Sequence, residues 1–153
     1  MPTNPVYGMS KTVLIVEDEI FVALEIEQIV EDAGFTVGAI AADREAALAA
    51  AAACDIALVD LNLRDGPTGP GIGMELAGQF GIQVIYVTAN PAQIGAAAEA
   101  ALGVIAKPFR ADSITATLRL VADDSSDLTA AQIAGFTPFP PPSGSWNGMG
   151  PAG

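Results

Sequence analysis

The chain has 153 residues, and its 18 acidic and 6 basic residues give it a net charge of −12. Because such a surface repels nucleic-acid phosphates and anionic lipids, we expect it to bind neither nucleic acid nor membranes. Histidine is absent, which excludes Ser-His triads and disfavours zinc sites, so a bound metal would be a hard ion such as Mg²⁺ or Ca²⁺. A single cysteine, Cys54, cannot form an internal disulfide and is typical of a reducing compartment.

Short apolar segments alternate with helical patterns along the chain. The predicted strands cover residues 12–16, 35–40, 55–60, 83–87 and 103–106. The predicted helices cover residues 19–33, 43–53, 72–80, 90–102 and 112–121. The first helix carries apolar residues at roughly helical spacing: Ile20, Leu24, Ile26, Ile29 and Val30. Five successive βα units predict an α/β fold, a doubly wound, five-stranded parallel sheet with helices on both faces.

The composition changes at both ends of this pattern. We predict an N-terminal extension over residues 1–10, a domain over residues 11–122 and a Pro/Gly-rich tail over residues 123–153. The extension has no apolar region of the kind that signal peptides carry, so a cytoplasmic location is expected. The tail also carries the aromatic residues Phe136, Phe139 and Trp146. Because aromatic residues beside prolines suit docking into a groove, we expect part of the tail to pack on the domain, near the last helix or the fourth.

Polar side chains stand where four of the predicted strands end. Glu17 and Asp18 follow the first strand, Asp60 ends the third, Thr88 follows the fourth, and Lys107 follows the fifth. In an open parallel sheet, ligands bind outside the carboxyl ends of the strands, so these side chains are expected to share one crevice.

This set of residue types suits phosphoryl transfer. Clustered carboxylates repel one another unless a cation lies among them, and oxygen ligands of this kind suit Mg²⁺. A hydroxyl and an ammonium group can bind phosphoryl oxygens, and a carboxylate can attack phosphorus to form an acyl phosphate. On this interpretation, Asp60 ends an apolar strand because a rigid carboxylate is needed in the crevice.

The segments IVEDE, LVDLNL, YVTAN and IAKPF, in this order on these strands, resemble the receiver domain of bacterial two-component response regulators over about residues 10–122. The resemblance implies a flavodoxin-like receiver fold and a sensor histidine kinase as the phosphoryl donor. It implies that Asp60 accepts the phosphoryl group, that Thr88 and Lys107 contact it, and that the Lys107–Pro108 peptide is cis. For Mg²⁺ it implies a ligand set of Glu17, Asp18, Asp60 and the backbone carbonyl of Asn62.

We therefore predict a single-domain response regulator, a signalling domain rather than an enzyme. Its output would be contact with a downstream protein or a homodimer, or it would act as a phosphate sink. The alternative is a Mg²⁺-dependent phosphatase of the haloacid-dehalogenase type, which needs a second acid two residues after its nucleophile, where this chain has Asn62. A third interpretation is a binding module that has lost phosphorylation, and the intact set of Asp60, Thr88 and Lys107 argues against it.

Two positions depart from the receiver pattern. The acidic pair opens with Glu17 where Asp is commoner, a change that a ligand acting through water tolerates. Many receivers have an aromatic residue three positions before the lysine, whose rotation follows phosphorylation, and here that residue is Val104. Tyr86 lies two residues before Thr88 and so on the same face of its strand, which makes it a candidate for that role.

Overall fold

A computed structural model describes residues 11–123 and 132–140 and shows one six-stranded sheet. The strands are β1 (Thr12–Val16), β2 (Thr36–Ala41), β3 (Ile56–Val59), β4 (Gln83–Thr88), β5 (Ala101–Ala106) and β6 (Phe136–Pro138). Their order is β2-β1-β3-β4-β5-β6; the first five strands are parallel, and β6 pairs antiparallel with β5. The predicted doubly wound parallel sheet is thus confirmed, with one further strand at its edge. The predicted extension, residues 1–10, lies outside the described residues.

Within the described residues, four α-helices connect and flank the strands. They are α1 (Ile20–Asp32), α2 (Arg44–Ala50), α3 (Gly69–Phe80) and α4 (Ala111–Ala122). None of the helices in the described part of the chain is both long enough and apolar enough to cross a membrane. The Lys107–Pro108 peptide is cis, as the resemblance implies.

The prediction of an α-helix over residues 90–102 is wrong. The chain there forms two short 3-10 segments, Pro91–Gln93 and Gly95–Ala100, and Ala101 already belongs to β5. Gly95 has a φ of 56°, a left-handed conformation that interrupts a right-handed helix. Alanine favours a helix only weakly, so this break and the pairing of Ala101 with Val84 of β4 decide the local structure.

The sheet separates two apolar layers. Along β1, Leu14 and Val16 face the layer under α2 and α3, whereas Val13 and Ile15 face the layer under α1 and α4. This alternation follows from the two-residue period of a strand, and burial on both faces explains why the central strands are apolar throughout. Each fully buried Leu, Ile or Val side chain stabilises the fold by roughly 1.5–3 kcal/mol.

Helix α1 buries only part of its apolar residues. Its inner face consists of Ala23, Ile26, Ile29 and Val30. Ile20 and Leu24, which the sequence grouped with that face, are 56% and 45% exposed. At 3.6 residues per turn, Leu24 lies roughly 160° around the helix from Ile26, so it cannot reach the sheet.

The described part of the tail packs on the domain, as expected. Phe136 of β6 is only 6% exposed and joins the layer that contains Ile114, Leu118 and Val121 of α4. Phe139 packs against the opposite layer. Trp146, in contrast, lies outside the described residues. The predicted domain boundary at residue 122 stays a prediction.

Candidate functional site

The carboxyl ends of β1 and β3 bring three carboxylates together. Oxygens of Glu17, Asp18 and Asp60 lie within 4.8 Å of one another. Glu17 is 2% exposed and Asp60 is 9% exposed, whereas Asp18 is open to solvent. The structure therefore brings the predicted acidic cluster together, with Glu17 and Asp60 buried and Asp18 exposed to solvent.

Backbone hydrogen bonds extend the sheet by one residue at each of these strand ends. The N–H of Glu17 donates to Ala41 O at 2.9 Å, and the N–H of Asp60 donates to Val16 O at 2.9 Å. The N–H of Lys107 donates to Thr88 O, also at 2.9 Å. The site residues thus start from backbone that the sheet holds in place, which is what a preorganised site requires.

A glycine allows α3 to approach the backbone of Asp60. A Cβ atom added at Gly69 would collide with Asp60 O and with Leu61 Cα, so only glycine fits the first position of this helix. The N–H of Gly69 donates to Leu61 O at 3.0 Å, and the N–H of Leu61 donates to Asp60 Oδ1 at 2.7 Å. The contacts of Gly69 hold the backbone of Asp60 and Leu61 close to α3, and the bond from Leu61 orients the Asp60 carboxylate.

Lys107 lies between the two inner carboxylates. Its Nζ donates to Glu17 Oε1 at 2.8 Å and to Asp60 Oδ2 at 3.2 Å, and its side chain is 16% exposed. Glu17 Oε2 accepts a hydrogen bond from the N–H of Glu19 at 3.1 Å. Lys107 thus partly neutralises a pair of carboxylates that would otherwise repel each other.

Burial and pairing act in opposite directions on the charges of this site. Burial raises the pKa of Glu17, and the hydrogen bonds from Lys107 and Glu19 only partly offset this effect. Burial also tends to lower the pKa of Lys107, but hydrogen bonds and charges of Glu17 and Asp60 outweigh it, so the pKa of Lys107 is raised. Lys107 therefore remains an ammonium group at neutral pH.

Thr88 lies at the end of β4 and is 1% exposed. Its hydroxyl oxygen accepts a hydrogen bond from the N–H of Asn90 at 3.0 Å, and its carbonyl accepts the N–H of Lys107. The backbone of Thr88 is thus joined by one hydrogen bond to the residue that carries the ammonium group, while its hydroxyl bonds Asn90.

Sequence reasoning missed Gln93. Its side-chain amide exchanges two hydrogen bonds with the side chain of Asn62, at 3.1 and 3.2 Å, on the surface of the protein. This pair joins the loop after β3 to the 3-10 segment after β4. No motif includes Gln93, and only the fold brings it to a residue that precedes it by 31 positions.

The family model for the response regulator receiver domain matches residues 13–119. The chain belongs to the response regulator receiver domain family. This match confirms the resemblance, and receivers are signalling domains rather than enzymes of the usual kind.

Several known proteins are similar to this receiver. It is 33% identical over 115 residues to the phyllosphere-induced regulator PhyR of Methylorubrum extorquens, and the match covers 72% of this chain but only 43% of that relative. The PhyR receiver domain of Erythrobacter litoralis, solved in solution, is 29% identical with a TM-score of 0.67 over 77% of this chain and 93% of that one. A mutant of the anti-anti-sigma factor PhyR from Bartonella quintana is 27% identical, with a TM-score of 0.63 over 76% of this chain and 51% of that one.

Membership in this family does not favour the phosphatase alternative. The position two residues after Asp60 is Asn62, and its amide is bonded to Gln93 and offers no acid. The acidic pair also precedes Asp60 in the chain instead of following it.

Tyr86 is buried in this receiver beside Val104, its partner in the register between β4 and β5. The Tyr86 hydroxyl lies 3.3 Å from Pro70 O and 3.4 Å from Ala97 O, to which it can donate. Burial raises the pKa of Tyr86 to about 12. Tyr86 is therefore a neutral core residue that contacts the segment after β4, and its role in switching stays a prediction.

Proposed function

We propose that Asp60 accepts a phosphoryl group from a phosphohistidine of a partner sensor kinase, in a reaction that depends on Mg²⁺. The observation that carries this proposal is the grouping of Glu17, Asp18 and Asp60 within 4.8 Å, with Lys107 Nζ 3.2 Å from Asp60. Three carboxylates so close together suit a divalent cation with oxygen ligands.

Each residue has a proposed part in the transfer. A carboxylate oxygen of Asp60 attacks phosphorus, the bond between phosphorus and the donor imidazole breaks, and its electron pair stays on the imidazole nitrogen. The product is an acyl phosphate on Asp60. The ammonium of Lys107 and the hydroxyl of Thr88 would stabilise the charge on the phosphoryl oxygens.

The residues of this crevice fit Mg²⁺. Its ligands would be the carboxylates of Glu17, Asp18 and Asp60 and the backbone carbonyl of Asn62. When bound, the ion would neutralise negative charge on the phosphoryl group. The ammonium of Lys107 supplies a further positive charge beside Glu17 and Asp60.

An exposed apolar patch, which follows Glu17 and Asp18 of the acidic cluster in the chain, supports a protein as the phosphoryl donor. Ile20, Phe21 and Leu24 on the first turns of α1 are 56%, 84% and 45% exposed. The three residues share one face of the helix, and contiguous apolar side chains at a surface are typical of protein interaction sites. We expect Phe21→Lys to reduce transfer from a panel of autophosphorylated histidine kinases and to leave labelling by acetyl phosphate unchanged. If both donors were affected equally, the patch would have no role in docking the kinase.

The output of the domain is proposed to be contact with another protein, a downstream partner or a second copy of the chain. The Bartonella quintana relative is named an anti-anti-sigma factor, which is a function exerted on a protein. The net charge of −12 agrees with this output, because it disfavours binding to nucleic acid or to anionic membranes.

Intact-mass measurement after incubation with acetyl phosphate and Mg²⁺ tests the acceptor. We expect the mass of one phosphoryl group to be added, and we expect Asp60→Asn or an excess of EDTA to abolish the addition. Asp112→Asn is the matched control, because Asp112 is an exposed aspartate on the first turn of α4. A phosphoryl adduct that persisted in Asp60→Asn would place the acceptor elsewhere.

A further inference from the structure

Strand β6 is not needed for any step proposed above, yet it is built into the edge of the sheet. It pairs with β5 over Gly103, Val104 and Ile105, and it lies beyond the residues that match the receiver family. A strand at the edge of a sheet offers unpaired backbone groups that another extended segment can bind. In this protein the segment that binds β5 is the chain's own.

The outer edge of β5 leaves space for this segment at Gly103. A Cβ atom added at Gly103 would lie 2.5 Å from the ring of Phe136 and 2.5 Å from Thr137 O, much closer than atoms pack. Glycine inside a strand weakens the strand and often marks a point where another segment of chain approaches closely. The approach of Phe136, which is 6% exposed, accounts for glycine in the middle of β5.

Three hydrogen bonds hold the segment on either side of Phe136. The hydroxyl of Ser113 on α4 donates to Ala134 O at 2.5 Å, and the N–H of Phe139 donates to Leu102 O at 2.9 Å. The N–H of Ala106 donates to Gly135 O at 3.2 Å. Gly135 has a φ of 83°, a left-handed conformation that lets the chain turn into β6.

The hydrogen bond from Ala106 to Gly135 lies next to the proposed phosphoryl site. Ala106 immediately precedes Lys107, whose N–H donates to Thr88 O and whose Nζ contacts Glu17 and Asp60. The carboxyl end of β5 is therefore held from one side by Thr88 and from the other by Gly135. Loss of the bond on the β6 side would free the backbone that positions the ammonium group.

We propose that the outer edge of β5 is a docking site for an extended segment with a buried aromatic residue, that residues 133–139 of this chain occupy it, and that their docking positions Lys107 for the phosphoryl group. The effect on Lys107 rests on the proposed phosphorylation of Asp60, whereas the docking itself does not. A group that is already held where charge develops binds that charge more tightly than a group that must first be ordered.

Amide hydrogen exchange of the full chain tests the docking. The amides of Ala106 and Phe139 should be protected, and Phe136→Ala should speed their exchange by roughly tenfold or more. Thr137→Ala is the matched control, because Thr137 is exposed on the same strand and its side chain should not be needed for docking. If the Ala106 amide exchanged equally fast in the unaltered chain and in Phe136→Ala, the docking would be refuted.

Gly103→Ala gives a second, independent variant. The three atoms nearest to the added methyl group all belong to the docked segment, so the substitution should displace that segment and speed exchange of the Ala106 and Phe139 amides as Phe136→Ala does. In a chain that already carries Phe136→Ala, it should have little further effect, because contacting residues are not additive. If Gly103→Ala changed the amide exchange rates equally in both backgrounds, the space at Gly103 would not be what holds Phe136.

The effect on Lys107 is tested with beryllium fluoride and Mg²⁺, a non-covalent mimic of the phosphoryl group, under conditions in which every variant is fully folded by circular dichroism. Phe136→Ala and Gly103→Ala should each weaken its binding by about threefold or more, and Thr137→Ala should leave it unchanged. Unchanged or tighter binding in the two undocked variants would refute the positioning of Lys107. If the unaltered chain bound no beryllium fluoride, the proposed phosphorylation would fail, while the exchange result would still decide the docking.

Discussion

Removal of Lys107 should destabilise the protein, because the acidic cluster then loses a positive charge that offsets the repulsion between its carboxylates. Lys107 Nζ contacts the nearly buried Glu17 at 2.8 Å and Asp60 at 3.2 Å. Lys107→Ala leaves both carboxylates without their ammonium partner, within 4.8 Å of each other. Mg²⁺ binding should be spared in this variant, because Lys107 is not among the proposed metal ligands, but the response to phosphorylation should be weaker.

The size of the effect on stability follows from burial. Loss of one partner from a fully buried ion pair destabilises a protein by about 3–5 kcal/mol. Because the Lys107 side chain is 16% exposed and water can enter the space it leaves, we expect the free energy of unfolding to fall by about 2–3 kcal/mol at pH 7.

The loss should depend on pH. Burial already raises the pKa of Glu17, and without Lys107 this pKa rises further above its value in the unfolded chain. Between the two pKa values the folded variant binds more protons than the unfolded variant, so its stability falls as pH rises. The destabilisation should therefore be smaller at pH 5, at about 1 kcal/mol or less.

Urea unfolding in EDTA at pH 5 and pH 7 measures both quantities. Glu17→Gln introduced together with Lys107→Ala should recover part of the lost stability at pH 7, because the unpaired buried charge is then absent. A loss below about 0.5 kcal/mol at pH 7 would show that Lys107 does not compensate a buried charge. A loss of equal size at both pH values would contradict the assignment of the effect to Glu17.

Three further predictions concern β4 and α3. Thr88→Ala should preserve Mg²⁺ binding but weaken the spectral changes, followed by NMR, that phosphorylation causes, and unchanged spectral changes would count against a role for Thr88. Stability should fall as pH rises from 10 towards 12, by at most about 2.7 kcal/mol, because the unfolded chain loses the Tyr86 proton before the folded protein does. Tyr86→Phe should remove this part of the pH dependence of the unfolding free energy, measured from pH 10 upwards, and an equal pH dependence in both proteins would be evidence against it. Gly73→Ala should destabilise the protein by about 1–3 kcal/mol despite the higher helix propensity of alanine, because its Cβ would collide with the Tyr86 hydroxyl. A Gly73→Ala protein that was more stable in urea would show that this contact can relax.

The sequence by itself determined the parallel sheet and the residue types at its functional edge. A strand with an apolar residue at every position, such as 56–59, indicates burial on both faces. A carboxylate directly after such a strand is unusual and can be recognised from the sequence. The carboxyl ends of parallel strands meet at one edge, so the placement of Glu17, Asp60 and Lys107 at that edge followed from their positions at or directly after predicted strands. Local signals of this kind depend only on neighbours along the chain.

Other features depend on residues far apart in the chain, and only the tertiary structure decided them. Lys107 pairs with Glu17 across 90 positions and with Asp60 across 47, and no spacing rule predicts which carboxylate receives the shorter bond. Phe136 reaches the core only because β5 leaves an open edge and Gly103 leaves room for its ring. The Ala-rich segment at residues 90–102 has the composition of a helix, but a left-handed Gly95 and the early pairing of Ala101 with β4 prevent one. In each case, packing and strand pairing contribute more free energy than the small local preferences that a sequence displays.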